Sequence, residues 1–101
     1  MEKRTPHYPL VEIKKYVEMK GIDAFTLTAR RNGFAMGITQ AELVASIMAL
    51  TRGVFYKSMT SYNDHTLWQD VYHAPLPNGV TAYVKVSSFD TGRPVIQFKE
   101  L

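Results

Sequence analysis

Residues 55 to 72, with the sequence FYKSMTSYNDHTLWQDVY, concentrate aromatic and polar side chains in one short span. This span contains Lys57 and Gln69, and Tyr83 follows further along the chain in the segment VTAYVKV. An ammonium, an amide and a phenol all donate hydrogen bonds, and the ammonium also carries charge. Side chains of these three types could together hold a phosphodiester.

Cleavage of RNA without a metal has three chemical requirements. The ribose 2′-hydroxyl must lose its proton, the phosphorane charge must be stabilised, and the leaving 5′-oxygen must be protonated. Lysine can supply charge, or act as a base where burial or neighbouring cations lower its pKa. Tyrosine can donate or accept a proton, and glutamine can orient the phosphate or the hydroxyl. The alternative is that Lys57 and Lys85 are solvated strand residues and Tyr83 is an amphipathic residue at the rim.

These side chains must be positioned by one small domain. The chain has 101 residues, of which 46% are hydrophobic, and this length leaves no room for a second core. A helical first half and a strand-rich second half predict an α+β class. Helices are predicted over residues 9–20, over residues 28–36, and from a capping box at residues 39–42 to Gly53.

The second half of the chain alternates with the period of β-strands. Apolar and polar residues alternate cleanly over residues 80 to 86, and turn residues separate the other segments. The sequence DTGR at residues 90 to 93 predicts a hairpin turn. We therefore expect an antiparallel meander of four strands, over residues 55–61, 66–72, 80–88 and 94–99.

The positions of the turns predict which residues face one another across the sheet. If the first two hairpins turn about Asn63 and Leu76, Lys57 lies opposite Gln69, and Gln69 lies opposite Tyr83. The three side chains then form one row on one face of three neighbouring strands. A slip of one residue would move part of this row to the other face.

Charge and cysteine content restrict the class of protein. Twelve Lys and Arg residues against nine Asp and Glu residues suit a polyanionic partner or an acidic protein, although a charge of +3 is also typical of an ordinary solvated surface. The absence of cysteine excludes disulfides, thiolate metal sites and a thiol nucleophile, and favours the cytoplasm. We expect no signal peptide in the charged segment MEKRTPHYPL and no membrane-spanning segment.

The span from residue 55 to residue 72 closely resembles the signature block of the MqsR family of toxin–antitoxin mRNA interferases. The segments MEKRTPH at the start, YVK at 83 to 85 and FKE at 98 to 100 are also similar to that family. The resemblance implies a RelE-like α+β fold, in which N-terminal helices pack on a twisted antiparallel sheet.

The resemblance also implies an activity and a set of catalytic residues. Members are metal-independent endoribonucleases that need no cofactor, cut single-stranded mRNA at GC-containing sites, and leave 2′,3′-cyclic phosphate and 5′-hydroxyl ends. The family's catalytic lysine, glutamine and tyrosine fall on Lys57 in FYKSM, Gln69 in WQDVY and Tyr83 in YVK. Tyr56 and Met59 flank this site and are expected to contact the RNA, as is Lys85 on the same face as Tyr83.

The implied partner is an MqsA-like antitoxin with a zinc-binding region and a helix-turn-helix region. Zinc binding and DNA reading would belong to that partner, so we expect DNA contact only through it and no metal site in this chain. The residues Asp64, His65, Asp70 and His73 fit no standard ligand spacing.

Two features depart from the family pattern. The segment NGVTAYVK is one residue longer than expected, and HAPLPN offers only His73 where members carry more basic residues. Both differences lie beside the proposed site and bear on the preferred RNA sequence and the rate. A non-catalytic RNA-binding module and a protein-interaction domain stay open as alternative functions. Trp68, adjacent to Gln69, is expected on the opposite face and in the core.

Overall fold

The computed structural model describes residues 1–88 and 93–101, and the predicted turn at residues 90 to 93 falls largely outside them. Within the described residues, five strands and three α-helices follow one another in the order β1 (Glu2–Lys3), α1 (Leu10–Lys20), α2 (Leu27–Ala35), α3 (Gln40–Met48), β2 (Phe55–Thr60), β3 (Trp68–Pro75), β4 (Thr81–Ser88) and β5 (Pro94–Glu100). Short 3₁₀ turns, Gly21–Ala24 and Arg52–Val54, follow α1 and precede β2.

The helices begin where the sequence provides caps. Thr39 accepts a hydrogen bond from the Glu42 amide, and the Glu42 carboxylate accepts one from the Thr39 amide, so the predicted capping box is formed. The helix it opens ends at Met48, and Gly53 lies in the following 3₁₀ turn instead of ending the helix. Gly33 is buried inside α2, where its missing side chain brings the backbone close to Leu43 of α3.

The described strands form one antiparallel sheet with the spatial order β1-β2-β3-β4-β5. The helices cover one face of this sheet, and alternate strand residues turn towards them. The buried core joins both layers, with Ile13, Val17, Ala29, Leu43 and Ile47 from the helices and Tyr72, Ala74, Ala82, Val84, Val86, Ile96 and Phe98 from the sheet. The predicted α+β class is confirmed, and the arrangement is consistent with a RelE-like fold.

The predicted register was wrong in both hairpins. Lys57 pairs with Val71 and Gln69 with Met59, so the first reversal is centred one residue later than expected. In the next hairpin Tyr83 pairs with His73, and Gln69 pairs with Ser87. Lys57, Gln69 and Tyr83 therefore do not form a single row across the sheet.

The second error has a clear physical cause in the turn between β3 and β4. Strand β3 continues to Pro75, and the chain reverses through a three-residue loop closed by the hydrogen bond from the Leu76 amide to the Val80 carbonyl. Gly79 has a φ of 86°, the left-handed conformation that such a loop requires of its last residue. Asn78 accepts from the Val80 amide and stabilises the same turn.

Strand β2 contains a β-bulge at Tyr56. Phe55 pairs with Tyr72 and Lys57 pairs with Val71, so Tyr56 is an extra residue without a partner of its own in β3. Because of the bulge, Phe55 turns towards the core, while Tyr56 and Lys57 both lie on the face away from the helices.

The N-terminal segment is attached to the sheet by Asp70, a carboxylate that was not expected to have a structural role. Asp70 is fully buried and accepts hydrogen bonds from the amides of His7 and Tyr8 and from the Ser58 hydroxyl. Trp68 does face away from Gln69, as expected, but it is only partly buried instead of lying in the core, and its ring stacks on His7.

No helix within residues 1–88 and 93–101 has the length and apolar character needed to cross a membrane.

Candidate active site on the open face of the sheet

The face of the sheet turned away from the helices, here called the open face, carries all six residues predicted to act on RNA. Strand alternation places five of them there, because their sequence neighbours Ser58, Asp70, Ala82, Val84 and Val86 are the buried residues of the core face. The bulge places the sixth, Tyr56, on the same face as Lys57. At the centre of the open face lies Val71, which is fully buried beneath its neighbours. The predicted shared face is therefore confirmed even though the predicted row is wrong.

Lys57 is held by a carboxylate from the N-terminal strand. Its Nζ atom donates to Oε1 of Glu2 at 2.5 Å, and β1 positions Glu2 by pairing it with Met59. This hydrogen bond raises the pKa of Lys57, and it lowers the pKa of Glu2. Lys57 therefore presents a charged ammonium at neutral pH, not a free amine that could act as a base.

Three rings line one side of the Lys57 ammonium. Tyr56 stacks on His73, with ring centroids 4.3 Å apart and planes at 19°. His73 in turn faces its strand partner Tyr83, with centroids 6.1 Å apart. The Lys57 Nζ atom lies 5.5 Å from the centre of the Tyr56 ring, within the range of a cation–π contact.

Tyr83 has the environment of a proton donor. Burial raises the pKa of its phenol, and the nearby charge of Lys57 offsets part of that effect. A phenol with a raised pKa keeps its proton at neutral pH. Tyr83 can therefore donate a hydrogen bond or a proton to an oxygen that gains negative charge.

Two further lysines follow Tyr83 on the open face. Lys99 of β5 pairs with Tyr83 and places its Nζ atom 5.0 Å from the centre of the phenol ring. Lys85 pairs with Val71 on one side and with Gln97 on the other. Burial, together with the charge of Lys99, lowers the pKa of Lys85. An anion between these ammonium groups would relieve their mutual repulsion.

Gln69 and Met59 lie beyond Lys57, on the side away from Tyr83. They are strand partners, and Gln69 pairs on its other side with Ser87. Since Ser87 and Tyr83 are four residues apart in one strand, Gln69 is offset from Tyr83 by about 13 Å along the sheet. The structure thus brings Lys57, Tyr56 and Tyr83 together and leaves Gln69 at a neighbouring position.

Sequence reasoning missed three members of this site. His73 was assigned to a turn, whereas it lies inside β3, and Lys99 was noted only as part of FKE. Glu2 belongs to a two-residue strand that no periodic pattern could reveal. The signal that could have found His73 and Lys99 is the strand alternation, since both share the phase of the other residues on the open face.

The acidic and histidine residues considered as metal ligands do not converge. Asp70 is buried on the core face, His73 lies on the open face, and Asp64 and His65 are exposed in the loop after β2. Within residues 1–88 and 93–101, no three His, Cys, Asp or Glu side chains form a group that could hold a metal ion.

Known proteins resemble this chain over nearly its whole length. A family model described as motility quorum-sensing regulator, toxin of MqsA, matches residues 5–100. The mRNA interferase toxin MqsR of Escherichia coli (strain K12) is 39% identical over 100 residues, which cover 99% of this chain and 99% of that protein. Because the family model matches residues 5–100 and this relative is 39% identical over nearly the whole chain, the chain belongs to the MqsR toxin family.

Proposed function

We propose that this chain is the endoribonuclease toxin of a toxin–antitoxin pair. It would cut single-stranded mRNA at GC-containing sites in the cytoplasm, without a metal ion or cofactor. The observation that carries this proposal is the cluster of Lys57, Tyr56, His73 and Tyr83 on the open face, in a chain whose 39% identical relative is named an mRNA interferase.

In the proposed reaction the 2′-oxygen of the ribose bonds to phosphorus and the bond between phosphorus and the 5′-oxygen breaks. The products are a 2′,3′-cyclic phosphate and a 5′-hydroxyl. Lys57 stabilises the charge that develops on the phosphorane oxygens, because the ammonium is already formed in the free protein. Tyr83 gives its proton to the departing 5′-oxygen.

The proton of the 2′-hydroxyl needs an acceptor on the same face. A nitrogen of a neutral imidazole ring can accept a proton, and His73 faces Tyr83 and stacks on Tyr56. His73 is therefore our candidate for the general base. Tyr56 also offers an exposed ring on which a base could stack.

We assign Gln69 a different task from the other two catalytic candidates because of its place in the register. With Met59 it occupies the position beyond Lys57, so it orients the nucleotide next to the scissile linkage. Lys85 binds a phosphate on the side of Tyr83. The RNA strand would then run diagonally over the open face, from Gln69 past Lys57 towards Tyr83 and Lys85.

The test is cleavage of a GC-containing single-stranded RNA by the purified protein, with and without EDTA. We expect cleavage in both conditions and cyclic phosphate ends. Lys57→Ala and Tyr83→Phe should each lower the rate about 10²-fold or more. Lys20→Ala removes an exposed lysine from α1, in the helical layer, and should leave the rate unchanged.

Other outcomes would contradict the proposed nuclease or identify a different function. Cleavage by the wild type that does not exceed the Lys57→Ala level would contradict a nuclease centred on this residue. Salt-dependent RNA binding without cleavage would identify a non-catalytic RNA-binding module. Partner binding without RNA affinity would identify a protein-interaction domain.

We further propose an antitoxin partner of the MqsA type, with a zinc-binding region and a helix-turn-helix region. This partner would suppress cleavage, and this chain would reach DNA only through it. Co-expression of the two chains should restore growth that the toxin alone arrests. Growth arrest that persists in the presence of a stoichiometric complex would contradict neutralisation.

A further inference from the structure

A cleft of about 390 Å³ lies beside the candidate active site, between α2 and the open face of β4 and β5. Its lining includes Thr28, Asn32, Tyr83, Lys85, Gln97 and Lys99. Tyr83 and Lys85 thus belong both to the cleft and to the site described above. Whatever occupies the cleft would therefore lie next to the reacting phosphate.

One wall of the cleft is cationic. The side chains of Lys85 and Lys99 come from neighbouring strands of the open face, and Lys99 extends over the Tyr83 ring. Burial and the charge of Lys99 both lower the pKa of Lys85, as expected when two ammonium groups share a partly enclosed space. A phosphate is the type of group that would stabilise both charges.

The opposite wall is polar and fixed in position. Asn32 of α2 donates from its Nδ2 atom to the carbonyl of Phe98 at 2.9 Å, which joins α2 to the outer edge of β5. Its carboxamide oxygen is left as an acceptor. Thr28 is exposed on the same helix. Gln97 lies on the cationic wall beside its strand partner Lys85, where it is exposed and offers both a donor and an acceptor.

From this geometry we propose that the cleft binds one nucleotide of the RNA, adjacent to the cleaved linkage. Lys85 and Lys99 would hold its phosphate, and Thr28, Asn32 and Gln97 would contact the edge of its base. The volume lies at the lower end of the range for small-ligand sites, which suits one nucleotide better than several. This inference rests on the proposed function and assigns part of its sequence preference to α2.

The experiment measures sequence preference rather than activity alone. The variant Thr28→Val/Gln97→Leu removes polar groups from the cleft at two exposed positions, so the fold should be retained. The matched control Thr51→Val/Gln40→Leu makes the same changes at exposed positions outside the lining. For each protein, kcat/KM is measured on single-stranded RNAs that differ only in the base on either side of the cleaved linkage.

We expect the cleft variant to lower the ratio of preferred to non-preferred substrate by about tenfold, because each lost hydrogen bond weakens only the matching base. The control should keep the wild-type ratio. An unchanged ratio in the cleft variant would overturn the proposal, as would a wild type that does not discriminate between bases at either position.

A binding measurement separates this inference from the proposed function. A short 2′-O-methyl RNA with a GC step cannot be cleaved, so its affinity reports the cleft even if the protein is not a nuclease. Lys99→Gln and the cleft variant should each weaken its binding, by about tenfold, compared with the control. Equal affinity in all of these proteins would refute the nucleotide subsite, whereas absence of cleavage with intact binding would refute only the nuclease.

Discussion

At the scale of single residues, the contact between Lys57 and Glu2 determines what the site presents to RNA. The carboxylate keeps the lysine charged and also competes with any phosphate that approaches it. Glu2 is more exposed than Lys57, with 57% of its side chain accessible against 22%. A phosphate can therefore displace the carboxylate into water while the ammonium stays in place.

This contact predicts a pH effect for Glu2→Gln. Glu2 raises the pKa of Lys57, so its removal should lower that pKa. If cleavage needs the ammonium, the loss of activity at high pH should then begin at a lower pH than in the wild type. Profiles of kcat/KM against pH for the two proteins measure the shift, with Tyr56 and Tyr83, the other groups that face Lys57, unchanged.

The matched control is Glu12→Gln, which removes an exposed carboxylate that pairs with Lys15 on α1. Its profile should coincide with that of the wild type. If the basic limb of Glu2→Gln also stays in place, some group other than Lys57 sets the loss of activity.

At the scale of the elements, the sequence predicted the side of the sheet on which a side chain lies better than it predicted which residues pair between strands. Apolar alternation within β4 is local, so it identified which side of the strand turns to the core. Register depends instead on where a turn is centred, and here Asn78 and Gly79 determine that centre through backbone conformation. The pairing partner was displaced by two residues in the first hairpin and by four in the second. Because both displacements are even, Lys57, Gln69 and Tyr83 kept a common face.

The parts of the site that were not predicted were missed for two different physical reasons. His73 was missed because the predicted strand stopped at Tyr72, before the extension of β3 to Pro75. The strand that carries Glu2 is too short for a pattern and depends on contacts distant in sequence. The helices, by contrast, were recovered to within a residue or two at most ends, because caps are local signals.

The attachment of the N-terminal segment to β3 predicts a stability effect for Asp70→Asn. An amide cannot accept from the His7 and Tyr8 amides and the Ser58 hydroxyl together, so at least one buried donor loses its partner. We expect a loss of about 2–4 kcal/mol in the free energy of unfolding, measured by urea denaturation.

The control for this change is Asp23→Asn, which removes the same charge from an exposed ion pair with Arg30. We expect it to cost less than about 1 kcal/mol. Similar losses in the two variants would mean that Asp70 does not hold the N-terminal segment in place.

At the scale of the whole molecule, the two faces of the sheet have separate roles. The helices and the core face provide most of the buried apolar surface, and the open face carries the cationic and aromatic side chains. The outer edge of β5 is also occupied, since the Thr26 amide and the Asn32 side chain donate to its carbonyls. The exposed charges thus lie on a face that contributes little to the hydrophobic core.

This separation predicts how RNA affinity depends on salt. Each phosphate neutralised on a single strand contributes about 0.7 to the slope of log affinity against log salt concentration. Lys85→Gln and Lys99→Gln should each reduce the slope by about that amount, as measured with a 2′-O-methyl RNA. Lys20→Gln, which changes an exposed lysine of α1, should leave the slope unchanged, and an equal reduction in this variant would contradict localised binding on the open face.

The bulge at Tyr56 has a consequence for how this protein can diverge. Deleting that one residue would restore a regular ladder and rotate Phe55 out of the core, or Lys57 into it. We therefore expect substitutions in β2 to be tolerated far better than changes in the length of this strand. Insertions should be tolerated instead in the longer loop between β2 and β3, which can absorb an added residue without moving either strand.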